Sequence, residues 1–398
     1  MRKIDVEKIG MFFFYLGVFL EVIIVIMDKS AWLNPIESQL FRITFLLFAL
    51  KCCVTKYTVR ELWTIFAAVC VAGICYLCST RDEAVRIVIF IISMKNVDVR
   101  KALKLVFWET FVGVLLLAVL SGVGILGEIF EAGAGFGKKE GTLRLCLGMG
   151  NGNALACMIW ALMVLGIYLY YKKMTYIHYC LLLIFSFLVY RLTIARTAFG
   201  VMICTVLAAM LLQYFKKIRE SKIVYILGIF LVFVGLGFSV FAAYISDWYE
   251  FLPTWVVKID HLLTGRITSI YPFENGGGVL KNWKLFSDPG YVQYFDMGYV
   301  RLFFWYGIIP GICCMFVLIR LLWCFYQKKD YMGFVLTMSF AMYTVVEAHA
   351  VSVYIARNYV LFLIGAYWPC MLYRNAEVRK QKQVYGWKFI TLFKRKEG

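Results

Sequence analysis

The chain has 398 residues, of which 62% are apolar, 18% aromatic and only 17% charged, with a mean hydropathy of +0.77. A soluble globular chain is about half apolar and about a quarter charged, so an aqueous fold is excluded. The formal charge of +18 points to no nucleic-acid partner, because the basic residues stand at the ends of apolar blocks and no basic soluble domain exists to hold a duplex.

The apolar residues come in blocks of roughly 16 to 25, the length a helix needs to cross hydrocarbon. A closed barrel would require alternating apolar and polar residues, and that alternation is absent. The expected fold is therefore all-α: a polytopic membrane protein of about twelve transmembrane helices, one membrane domain over 1–398. In chain order the spans are expected near 9–27, 38–54, 62–79, 84–95, 102–126, 154–171, 176–192, 197–213, 223–243, 298–323, 332–347 and 357–372. The fourth is short and carries Arg86, so a tilted or partly inserted helix is expected there. The charged stretch Met1–Lys8 runs into the first span without an A-x-A site and reads as a first helix, not a cleaved signal.

Basic residues set the orientation. With the N-terminus inside, inner loops carry Lys51, Lys56 and Arg60, then Lys95, Arg100, Lys101 and Lys104, and later Lys172, Lys173, Lys216, Lys217, Arg219, Lys222, Lys328 and Lys329. With the basic tail 373–398, this side holds roughly 27 Lys and Arg against about 15 outside, which predicts N-in and C-in. Outside, arginine leads: Arg42, Arg81, Arg86, Arg144, Arg191, Arg196, Arg266, Arg301 and Arg357. Arginine is the forked donor for phosphate oxygens, so as a group these predict a surface for an anionic substrate, although any single one can be an interfacial anchor.

Two outer segments are long. Residues 127–153 are rich in glycine, at 127, 133, 135, 137, 141, 148, 150 and 152. Residues 244–297 form the large extracytoplasmic loop, where Trp255, Val256, Ile259, Leu262, Leu263, Ile267 and Ile270 recur at helical spacing and predict an amphipathic helix, ended by a turn at Glu274–Gly278. The thirteen cysteines lie almost all inside apolar blocks. Even the C-x-x-C pair Cys75 and Cys78 reads as small packing residues, and no structural disulfide is expected in the large loop.

Four short stretches carry the chemistry, all on the outer face in this topology. They are Arg144-Leu-Cys-Leu-Gly148-Met-Gly-Asn151-Gly152-Asn153, Ala195-Arg196-Thr197-Ala198, Leu263-Thr264-Gly265-Arg266-Ile267, and Asp296-Met-Gly-Tyr299-Val-Arg301 followed by Tyr306-Gly307-Ile308-Ile309. In that order they resemble the R-x-x-x-G-F-x-H-P-N, S-R-T-A/G, L-S/T-G-R-L/I and D-N-x-Y-x-R…Y-G-I-I segments of the O-antigen ligase/polymerase superfamily. Asn151 and Gly152 stand where that family has His and Pro, and Ala195 where it has Ser, so those roles do not carry over. Glu347 and His349 with Asn358 match the family's final outer loop more weakly. The resemblance covers roughly residues 140–365.

The resemblance implies a bacterial cytoplasmic-membrane polymerase of undecaprenyl-diphosphate-linked oligosaccharide repeat units, building a capsular polysaccharide, exopolysaccharide or O-antigen. Membrane lipid surrounds it, and a flippase and a chain-length regulator are the partners implied. Its leaving group is a diphosphate, whose growing charge calls for fixed cations. Arg196 and Arg266 are expected there, with Arg144, Asn153, Asp296, Tyr299 and Arg301 binding diphosphate or glycan. The acceptor hydroxyl calls for a base; of the three histidines His178 is cytoplasmic, His261 lies in the large loop, and the expected base is the Glu347/His349 pair. No outer loop carries a D-x-D or metal-ligand cluster, so neither a metal nor a cofactor is expected. The alternatives are a ligase of the same superfamily, a lipid-linked oligosaccharide flippase, which would favour internal repeats and broken helices, and a metal-dependent glycosyltransferase, whose first outer loop would need more acids than Asp28 and Glu37.

Overall fold

The computed structural model describes residues 6–133, 141–270, 279–373 and 383–385; the expected turn at 274–278, the glycines at 135 and 137 and the rest of the basic tail lie outside them. In chain order the helices are α1 (Val6–Lys29), α2 (Glu37–Val54), α3 (Val59–Ser79), α4 (Glu83–Ser93), α5 (Val99–Gly122), α6 (Gly152–Tyr170), α7 (Tyr176–Thr193) and α8 (Arg196–Tyr214). They continue as α9 (Lys216–Glu220), α10 (Lys222–Ile245), α11 (Thr254–Leu262), α12 (Gly298–Tyr306), α13 (Ile308–Lys328), α14 (Tyr331–Thr344) and α15 (Tyr359–Leu372). Helices dominate because a chain in hydrocarbon has no water for its amides and must satisfy them within each segment.

Among the described residues, α1, α3, α5, α6, α7, α8, α10 and α13 are the eight helices long and apolar enough to cross a membrane. The others expected to span fall short for visible reasons. Glu37, Arg42 and Lys51 load α2 with charge, and α4, α14 and α15 have 11, 14 and 14 residues.

The expected span at 298–323 is not one helix. It breaks at Gly307, whose φ of +100° is open to glycine alone, and a Cβ there would sit 2.5 Å from the Phe286 Cα. The large loop crosses at this point, and its carbonyls receive the opening amides of α13: Ile308 N donates to Lys284 O at 2.9 Å and Ile309 N to Leu285 O at 3.0 Å. All nine residues of α12 are buried, so this piece is a core element and not a lipid-facing one.

Arg86, the costly residue of α4, is answered from α1. Its guanidinium lies 3.6 Å from the carboxylate of Glu21 and 3.6 Å above the Phe41 ring, and Thr44 Oγ1 donates to Glu21 at 2.6 Å. A paired charge inside the bundle costs far less than a bare one.

The core centres on α6, α8 and α14. Trp160 is fully buried; its Nε1 donates to Ser339 Oγ at 3.0 Å, and Ser339 lies 2.6 Å from Thr205 Oγ1. Small and hydroxyl side chains let these helices approach closely and bond across the interface.

The all-α expectation needs two additions. Strands β1 (Lys56–Thr58) and β4 (Gln383–Tyr385) pair, as do β2 (Phe130–Gly133) and β3 (Thr142–Leu145), both antiparallel. The β2–β3 ribbon turns the glycine-rich segment into a platform with Glu131 opposite Arg144. In the large loop, α11 stops at Leu262 and the expected apolar stripe continues through a turn, with Val256, Ile267 and Ile270 buried and Trp255 stacked on Phe241.

Candidate functional site

Arg266 is placed by the turn that closes α11. Asp260 is buried, its Oδ1 accepting from Ile267 N at 2.7 Å and its Oδ2 from Thr268 Oγ1 at 2.7 Å. Thr264 and Gly265 take left-handed backbone at φ +59° and +79°, a cost for the β-branched Thr264 that the Asp260 bonds offset. The turn directs Arg266 inward. Its Nη1 pairs with Asp296 and its Nη2 lies 2.5 Å from Glu347 Oε1, residues 30 and 81 positions away.

Three of the matched stretches thus meet in one guanidinium clamped between two carboxylates. Burial raises the proton affinity of Glu347, opposed chiefly by the Arg266 charge. The net direction is upward, which makes Glu347 a stronger base than an exposed carboxylate.

His349 sits elsewhere. It is 5% exposed, its ring edge-on to Trp160 at 5.3 Å and stacked on Tyr343 at 5.7 Å. Burial, then the charges of Arg357 and Lys29, hold its pKa well below the usual value, so the ring is neutral. No hydrogen bond joins it to Glu347, two positions away in sequence, among the described residues. His349 instead lines a small cavity with Thr110, Tyr359 and Arg357.

Arg144 has protein partners at all three nitrogens. Nε donates to Thr193 O at 2.7 Å, Nη1 to Glu131 at 2.8 Å and Nη2 to Asn153 at 2.7 Å. Asn151 caps α6 through Ala154 N at 2.8 Å. The first stretch therefore ties β2, β3, α6 and the end of α7 together. Arg196, the first residue of α8, is exposed and makes no contact with the Arg266 group among the described residues.

Arg301 is buried, its guanidinium 3.4 Å over Tyr294 and 4.6 Å from Trp305, with Nε donating to Phe295 O at 2.9 Å. Tyr299 is also buried and ties α12 to α14 through Ala341 O at 3.2 Å. Asn358 caps α15, accepting from Val360 N at 3.1 Å.

A second charged group, unforeseen from the sequence, borders the first. Asp28 Oδ2, at the end of α1, lies 3.2 Å from Lys29 Nζ and 3.3 Å from Arg357 Nη1, and Tyr354 Oη donates to Asp28 Oδ1 at 2.6 Å. The available signal was the pair Asp28-Lys29 closing the first apolar block, opposite charges where one anchor would suffice. Among the described residues no three His, Cys, Asp or Glu side chains gather as metal ligands.

Comparison of the chain with protein-family models, curated proteins and solved structures gives no match.

Proposed function

We propose that this chain is a polymerase of undecaprenyl-diphosphate-linked oligosaccharides, working at the outer face of a bacterial cytoplasmic membrane. The observation that carries the reading is the convergence of Arg266, Asp296 and Glu347 from three separate stretches of the chain. In this reading α2, α4, α14 and α15 cross beside the eight long helices, giving twelve spans with both termini inside, and α12 is a buried half-helix beneath the large loop.

The reaction joins an acceptor sugar hydroxyl to C1 of the donor glycan as the C1–O bond to the diphosphate breaks. Glu347 takes the hydroxyl proton, the new glycosidic bond forms, and undecaprenyl diphosphate leaves with the bonding electrons. Arg266 holds the base ionised and oriented, and Asp296 fixes Arg266 from its other side.

The topology is tested by reporter fusions. Fusions after Asp260 and Gly137 are expected to read outside and those after Lys217 and Lys329 inside; a cytoplasmic signal from the Asp260 fusion would place the site on the wrong face. The activity is tested with purified protein and lipid-linked repeat units. A ladder of longer glycans with matching release of undecaprenyl diphosphate is expected, and in excess EDTA, since side-chain cations stand where such reactions need positive charge. Unextended units would remove the polymerase reading, and a ladder that vanishes in EDTA and returns with magnesium would remove the metal-free one.

A further inference from the structure

The two charged groups at this end of the bundle differ in their balance. Arg266 is one cation held between two carboxylates, Asp296 and Glu347, so both of its terminal nitrogens are matched, its buried Nε alone lacking an acceptor among the described residues, and the group is negative when both acids are ionised. Lys29 and Arg357 are two cations that share a single carboxylate oxygen, Asp28 Oδ2, at 3.2 and 3.3 Å. By its ion pairs that group holds one more positive than negative charge, and Lys29 is near enough to Glu347 to favour its ionised form.

The donors of this second group are also underused. Arg357 Nη1 divides itself between Asp28 and Ser352 Oγ at 3.4 Å, and its buried Nε has no acceptor among the described residues. Lys29 Nζ has Asp28 as its one ion-pair partner among them. His349, 95% buried, has its Nε2 without a partner among the described residues and lines with Arg357 a small cavity that neither Lys29 nor Asp28 borders. Both cations remain within reach of a ligand, their side chains 18% and 13% exposed. Tyr354 bonds Asp28 Oδ1 and steadies the shared carboxylate, so an arriving anion meets a fixed pair.

We propose that Lys29 and Arg357 form the site for a diphosphate group, and that Arg266 positions the base beside it without holding the phosphates. An anion with two or more charges is drawn to the group with surplus positive charge and repelled by the one with surplus negative charge. The assignment of that diphosphate to a lipid donor rests on the polymerase reading; the anion site itself does not.

The test is diphosphate binding by the full chain in phosphatidylcholine nanodiscs, with farnesyl diphosphate and inorganic diphosphate as probes. Lys29→Gln and Arg357→Gln are each expected to weaken farnesyl diphosphate binding about tenfold, the loss of one charge-assisted contact. Lys29→Arg and Arg357→Lys keep the charge and are expected to stay nearer wild type, which separates lost charge from lost folding. Arg266→Gln is expected to change affinity less than either. Affinity that collapses in Arg266→Gln and stays at the wild-type level in Lys29→Gln and Arg357→Gln would overturn the proposal, as would a wild-type chain that binds neither probe. Stronger binding of the farnesyl probe would identify a lipid headgroup as the source, and equal affinities a free anion; both support the site. Binding that follows Lys29 and Arg357 in a protein that never extends lipid-linked units keeps this site and removes the polymerase reading.

Discussion

Arg266→Ala is expected to lower chain growth by about a hundredfold to ten-thousandfold, the range over which a positioned base acts, at near-normal protein level. Among the described residues the guanidinium is the cation that pairs with both Asp296 and Glu347. Without it Glu347 is left beside the partly exposed Asp296 with no neutralising cation between them, and the cheapest relief is protonation of Glu347, which destroys the base. Arg266→Lys restores a charge but not the fork that meets two carboxylates at once, so rescue is expected to be poor. Residual turnover in the Lys variant should show its acid limb displaced to higher pH, because the charge that opposes the raised proton affinity of Glu347 is less well placed. Full activity in a well-expressed Arg266→Ala protein would take this residue out of the mechanism.

Glu347→Gln is expected to be as severe, and His349→Ala milder. The base must be unprotonated, so the wild-type rate falls as pH falls through the Glu347 value, and burial places that limb above the ordinary carboxylate range. In Glu347→Gln the limb should disappear along with most of the rate. His349 is neutral throughout this range because burial holds its pKa well below the usual value, and its ring is packed between Trp160 and Tyr343. Its replacement by Ala removes packing more than proton transfer, so a modest loss of rate with an unchanged acid limb is expected. The reverse ranking, with His349→Ala inactive and Glu347→Gln active, would make the histidine the base.

What the sequence determined by itself was local. Apolar blocks long enough to cross hydrocarbon became helices close to where they were expected, because hydropathy and length act on each segment alone: the block at 176–192 is α7 and that at 197–213 is α8. Features that need a distant partner were decided only in the tertiary structure. The break at Gly307 exists because the chain at 284–286 passes within contact of it, and nothing in the apolar run from 298 onward announces that crossing. Glu347 and His349 look like a pair when written side by side, but an irregular backbone after α14 gives one to Arg266 and the other to an aromatic core. Arg144 was legible as a functional arginine by type, while its three protein acceptors come from β2, α6 and the last residue of α7. The Lys29–Asp28–Arg357 group joins residues more than 300 positions apart. Residue type and periodicity are written along the chain, whereas charge pairing depends on which helix ends come together, and packing alone decides that.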